Sequence, residues 1–266
     1  MYSKRNLKIF LLLFFSAFFL KGNVDRMYFD KDLKVLEDII SMNPHLNQNN
    51  PLQIGTQIWD NERLTYLNLF SEQIVALPES IGDLTSLVYL NLDLNQLTTV
   101  PESICDLINL EEFYLSNNIL IYLPENIGNL VNLEELYLSN NQITYLPESI
   151  FKLKFLNTLR IDDNQLISLS ENIGSLLNLE KLSLSRNQIF RLPKQIVDLK
   201  NLSALYLREN NIKSLPRDIG NLKKLTKFSM ESNELRSLPN SIGKLKRLNS
   251  LWLSGNKLDS LPNSIL

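Results

Sequence analysis

The 266-residue chain predicts an α/β solenoid: a horseshoe whose concave face is a parallel β-sheet and whose outer side carries short helical or irregular segments. Two observations carry that prediction. Leucines recur in a 23-residue frame that restarts at Leu64, Leu87, Leu110, Leu133, Leu156, Leu179, Leu202, Leu225 and Leu248, without insertion or deletion. Within each frame, a stretch of strand-like alternation is followed by a turn and then by Pro-x-x-Ile, the signal of a short helical turn. A unit this small buries no core alone, so neighbouring copies must stack.

The elements follow in chain order. Lys4, Arg5 and Lys8 precede a 12-residue apolar run over residues 9–20. That is short of the ~20 residues a membrane-spanning helix needs, and it fits the ~7–15-residue core of an export signal. Residues 1–22 therefore read as a signal peptide or, because Leu20-Lys21-Gly22-Asn23 lacks a small-x-small cleavage pattern, as a retained N-terminal anchor. No cysteine follows the run, which disfavours lipid attachment.

Residues 23–63 read as an N-terminal cap. Leu33, Leu36, Ile39 and Ile40 have helical spacing between Asp30 and Met42, with Asp30 or Asp32 starting the helix. Beyond Pro44, the residues Leu46, Asn49, Ile54 and Ile58 fall on the repeat register, suggesting a degenerate extra unit with Trp59 covering the first full one.

Residues 64–266 hold nine repeats, the last stopping before its final leucine. Ile265 and Leu266 would then lie near an open apolar edge, leaving self-association, a covering partner or a longer chain as alternatives.

Each slot of the repeat has a physical reason. In Glu135-Leu136-Tyr137-Leu138-Ser139 the leucines point inward and the alternate residues outward. The ninth position is Asn95, Asn118, Asn141, Asn164, Asn187, Asn210, Asn233 and Asn256 in eight repeats, and Glu72 in the first. There the chain turns inside the stack, and an amide both donates and accepts to satisfy backbone groups that would otherwise be buried unpaired. A ladder of stacked asparagines is expected. The fifteenth position is proline except at Ser170, and its fixed φ suits the start of a helical turn pinned by Ile at eighteen and Leu at twenty-one.

The pattern Leu-x-x-Leu-x-Leu-x-x-Asn-x-Leu-x-x-Leu-Pro-x-x-Ile-x-x-Leu resembles the leucine-rich repeat family in its 23-residue form, and most resembles exported bacterial members. The resemblance implies recognition of a protein partner through the concave face, without catalysis or cofactor. The family's contact slots are positions two, three, five, seven and eight. Here they include Tyr66, Phe70, Tyr89, Tyr114, Tyr137, Tyr206 and Trp252. Exposed aromatic side chains anchor interfaces well, since they bring large area at low entropic cost.

Charge is unevenly placed on these slots. The first four repeats carry Asp93, Glu111, Glu112, Glu134 and Glu135 there, with no basic residue. In the later repeats Arg160, Lys181, Arg186, Arg208 and Lys227 are balanced by Asp162, Asp163, Glu180, Glu209 and Glu231. Residues 64–155 hold 12 acidic and 2 basic side chains, residues 156–266 hold 10 and 17, and the whole chain has net charge −2. Four strands span about 19 Å, beyond a Debye length of about 10 Å, so an approaching molecule senses a coherent acidic block. The slots predict a basic protein segment as partner, with solvation of a sheet face as the plainer alternative. The opposite charge of the two halves also allows head-to-tail assembly, and an intracellular scaffold remains open if the apolar start is not a signal.

Other classes lack their residues. His45 is the sole histidine and lies outside the repeats, so no histidine-based triad can cross the concave face. With one Cys and one His, a zinc site has too few ligands, and Cys105 has no partner for an intramolecular disulfide. No phosphate-cradling glycine loop occurs, and aromatics set among acids suit nucleic acid poorly.

Overall fold

The computed structural model describes residues 30–46 and 50–265. The export signal or anchor expected over residues 1–22, Asn49 and Leu266 lie outside them. Among the described residues, ten strands form one sheet in chain order. After β1 (Thr56–Asp60) and β2 (Arg63–Asn68) come β3 (Tyr89–Asn91), β4 (Glu112–Tyr114), β5 (Glu135–Tyr137), β6 (Thr158–Arg160), β7 (Lys181–Ser183), β8 (Ala204–Tyr206), β9 (Lys227–Ser229) and β10 (Ser250–Trp252). From β2 onward every pair is parallel and in step with the 23-residue frame, as in Tyr66 beside Tyr89 and Tyr114 beside Tyr137.

The core is one continuous column. Leu133, Leu136, Leu138, Ile143, Ile150 and Leu153 of the fourth repeat are fully buried, and their equivalents in neighbouring repeats join them. Each buried leucine contributes roughly 1.5–3 kcal/mol, which suffices only because adjacent repeats share the same interior. Opposite the sheet, the chain forms 3-10 turns of three to five residues, such as Glu102–Asp106 and Ile127–Asn129. Proline precedes these turns in extended conformation instead of opening them, and its carbonyl accepts from the isoleucine three residues on, as Pro101 does from Ile104 at 3.1 Å. Ser170 takes the same place, and its hydroxyl accepts from the Asn172 amide.

At the amino end, helix α1 (Asp30–Met42) buries Val35, Leu36, Ile39 and Ile40 against the first repeat. Where the register suggested a degenerate extra unit, the chain instead forms β1, which runs antiparallel to β2. The cause is local: Asn61 and Glu62 both have positive φ (47° and 66°), the geometry of a tight two-residue hairpin turn. The entry to β1 requires Gly55, whose φ is +58° and where a Cβ would stand 2.1 Å from the Asn68 carbonyl oxygen. Trp59 packs against the core from β1.

Two polar side chains tie this cap down. Asp32, fully buried, accepts from the Arg63 guanidinium and from the Leu64 backbone at 2.8 Å. Asn43, also fully buried, accepts from Val75 and donates to the Ala76 and Ile39 carbonyls. It serves the first repeat, whose own ninth position is Glu72. At the other end Leu248, Leu251, Leu253 and Leu258 are only partly buried, whereas their counterparts in the eighth repeat, Leu225, Phe228, Met230 and Leu235, are fully buried.

Candidate protein-binding surface

The outward residues of β2 to β6 form one continuous stack. Tyr66 and Tyr89, both in slot three, lie ring on ring with centroids 4.1 Å apart and planes within 11°. Tyr114 and Tyr137, both in slot five, repeat the arrangement at 4.6 Å and 9°. Between the pairs the aromatic position moves from slot three to slot five, and Tyr89 bridges the change to Tyr114 at 5.2 Å with a 40° tilt. The Arg160 guanidinium extends the series, 5.9 Å from the Tyr137 ring centre. Offset ring pairs of this kind add about 0.5–1.5 kcal/mol beyond the area they bury.

The acids are woven into this stack. The Tyr114 hydroxyl donates to Glu112 at 2.8 Å and the Tyr137 hydroxyl to Glu135 at 2.7 Å. Burial, and then the charge of Glu112 beside it, holds the Tyr114 phenol in its protonated, donating form well above the ordinary range. Burial and Glu135 do the same for Tyr137. Asp93 sits one slot deeper, accepting from the Ser116 amide at 2.5 Å, and burial pushes its carboxyl up to about 6.

Phe70, Tyr206 and Trp252 do not join the stack. Phe70 is exposed at slot seven, while Tyr206 and Trp252 occupy slot five of β8 and β10, with Ser183 and Ser229 in that slot on β7 and β9. In this later half the charges engage one another: Arg186 grips Asp163, and Arg208 meets Glu209 at 2.7 Å. Lys181 and Lys227 stand exposed on β7 and β9.

Beneath the sheet, the position-nine asparagines link each repeat to the one before. Asn141 accepts from the Leu120 amide at 3.0 Å and donates to the Leu115 and Leu138 carbonyls at 2.9 and 3.1 Å. The same contacts run from Asn95, between Ile74 and Leu69, to Asn256, between Leu235 and Met230. This ladder keeps the slots in step, and so places the tyrosines within stacking distance.

Elsewhere, His45 contacts the Glu72 carbonyl at 2.7 Å on the cap. Cys105 is buried, and that burial, with the charges of Glu102 and Asp106, pushes its thiol up to about 12. A second set of exposed apolar residues, Ile121, Tyr122, Tyr145, Ile167 and Phe190, lies outside the contact slots, at positions twelve and thirteen beyond the asparagine turn. Their signal is plain in the register, since Lys213 and Arg236 hold position twelve in repeats seven and eight.

A parallel sheet of in-step repeats over a single leucine column, with aromatic side chains on its solvent face, defines a repeat scaffold of the horseshoe type. A family model described as a leucine-rich repeat region matches residues 35–138 and 167–266, and a two-copy leucine-rich repeat model matches residues 131–175. The chain belongs to the leucine-rich repeat family.

Among solved structures it is similar to a leucine-rich repeat protein of Leptospira interrogans, at 37% identity and TM-score 0.73, covering 76% of this chain and 52% of that one. It is also similar to the plant peptide hormone receptor RGFR1, solved in complex with RGF2, at 28% identity and TM-score 0.68 over 77% of this chain and 34% of the receptor. The ectodomain of the Arabidopsis thaliana receptor kinase GASSHO1/SCHENGEN3, in complex with Casparian strip integrity factor 2, is 24% identical with TM-score 0.71 over 86% of this chain and 32% of its own, a likeness of fold alone. The chain thus spans about half the length of the Leptospira protein and about a third of the receptors. No curated protein matches it.

Proposed function

We propose that this chain is a non-catalytic, exported scaffold that holds a basic segment of a protein partner on the sheet face of its first five repeats. The observation that carries the reading is the stack from Tyr66 through Tyr89, Tyr114 and Tyr137 to Arg160, with Glu112 and Glu135 fixed beside it by the tyrosine hydroxyls. A pre-stacked aromatic wall loses little side-chain freedom on binding, and a lysine or arginine laid on it gains ring attraction and carboxylate contact together. The absence of lysine and arginine from the contact slots of the first four repeats leaves that attraction uncancelled. The similar structure of RGFR1, a plant peptide hormone receptor in complex with RGF2, supports peptide-sized ligands for this architecture.

Export rests on the positive start and the apolar run over residues 9–20. Among the described residues no helix is long and apolar enough to cross a membrane. Secretion, the periplasm and the cell surface all agree with such a start, with membrane contact only through an uncleaved N-terminus.

The test is capture of partners at two salt concentrations, followed by affinity measurement on the captured protein. Reversal at Glu112→Lys and Glu135→Lys weakens binding about tenfold or more, mostly at low salt. An affinity indifferent to salt and to both reversals overturns the reading.

A further inference from the structure

The flank that follows the asparagine turn carries a second pattern, unused by the sheet face. Position sixteen is glutamate in the first five repeats, from Glu79 to Glu171, then Lys194 and Arg217, then asparagine. The five glutamates are exposed, and among the described residues none is in an ion pair. Their contacts are neutral: Glu125 accepts from the Tyr145 hydroxyl at 3.1 Å, Glu148 from Asn172 at 2.8 Å and Glu171 from Gln195 at 2.8 Å. Beside them Tyr145, Ile167 and Phe190 are 49%, 56% and 47% exposed. A groove of about 470 Å³ between repeats four and five is lined by Tyr145, Leu146, Pro147, Phe151, Ile167 and Leu169. Further along, position twelve turns basic at Lys213 and Arg236.

We propose that this flank is a self-complementary dimer interface, in which a second copy of the chain lies antiparallel across it about a two-fold axis between repeats five and six. Under that operation repeat five faces repeat six of the other copy, and repeat four faces repeat seven. Glu171 then meets Lys194 of the second copy, and Glu148 meets Arg217 of the second copy. Ile167 and Phe190, among the most exposed apolar side chains of the flank, meet at the axis. Tyr145 comes beside Lys213 of the second copy, an ammonium-to-ring contact.

Every pair occurs twice, as an isologous contact demands. A parallel arrangement would set glutamate on glutamate. A head-to-tail shift would match acid with base, but it would separate Ile167 from Phe190 and leave the assembly open-ended. Contact through the edge of β10 would not involve these residues at all.

The experiment is sedimentation velocity on the full chain across a concentration series, at about 0.05 M and about 0.5 M salt, where the Debye length falls severalfold. The proposal expects a discrete dimer that weakens with salt. Glu148→Arg should weaken dimerisation about tenfold or more, and the double variant Glu148→Arg/Arg217→Glu should recover it, because the pair is restored between copies. Ile167→Asp, at a side chain too exposed to support the core, should abolish the dimer while leaving the melting curve of the dilute, high-salt monomer unchanged. A monomer at both salts, species that grow beyond a dimer with concentration, or a dimer indifferent to these substitutions each overturns the proposal.

Discussion

Position eight of the repeat is held left-handed in all nine copies, with φ between 52° and 59° at the eight that are not glycine and 71° at Gly255. Asn117, Asn140 and Asp163 accept that conformation readily, but Leu94 does not. Leu94 is also 47% exposed, so it gains little from burial. Leu94→Asn is therefore expected to stabilise the protein by about 0.5–1 kcal/mol, read from the urea midpoint.

Asp93 makes the opposite kind of prediction. Burial raises its carboxyl from 3.8 to about 6, so the folded chain binds more protons than the unfolded one between those values. Stability contributed by the protonated form is therefore complete below about pH 4, is lost as pH rises through about 6 and stays flat above. Binding of a basic partner should move the other way, strengthening from pH 5 to 7 as Asp93 ionises. Asp93→Asn should flatten both dependences, checked by melting and by binding isotherms across that range.

At the scale of elements, the strands, their register and the leucine column were readable from the frame alone, because a period without insertions leaves one way to stack. The direction of β1 was not. The register puts Ile54 and Ile58 at positions fourteen and eighteen, the turn side of a repeat. Ile58 nevertheless lies in β1, because the pair Asn61-Glu62, able to turn left-handed twice, folds that strand back on β2. The site was half legible for a related reason. The register puts Tyr66 and Tyr89 in one slot and Tyr114 and Tyr137 in another, but the tilt of Tyr89 that joins the two pairs is a side-chain matter the frame does not contain.

The 3-10 turns carry a further, doubled period. Gly82, Gly128, Gly174 and Gly220 alternate with Cys105, Phe151, Val197 and then Gly243 at the same position. A Cβ on Gly128 would lie 2.1 Å from the Ser149 carbonyl oxygen, so the turns that follow the first four glycines can close in, while Cys105 and Phe151 fill the wider gaps. Gly128→Ala should cost more than Cys105→Ala, through a forced separation of backbones.

The asparagine ladder gives a graded test. Asn141→Ala strands the Leu120 amide in the core, leaves the Leu115 and Leu138 carbonyls only their bonds from Asn118 and Asn164, and should cost about 1–3 kcal/mol. Asn256→Ala, beside the half-buried leucines of β10, should cost less. Equal losses in urea unfolding would contradict a load shared through neighbours.

For the whole molecule, the acidic excess of residues 64–155 and the basic excess of residues 156–266 almost cancel in the total, and it is their separation that matters. On the sheet face the acids accompany the tyrosine stack, while later acids and bases such as Asp163 and Arg186 engage each other. One surface therefore combines aromatic area with unbalanced negative charge. The measurement that bears on this most directly is the affinity of short arginine- and tyrosine-containing peptides for the intact chain and for Tyr114→Ala/Tyr137→Ala, followed by fluorescence anisotropy at rising salt. Salt-weakened binding, reduced about tenfold or more by the double substitution, is the predicted result. Peptides that bind both proteins equally, or acidic peptides that bind better, would contradict it.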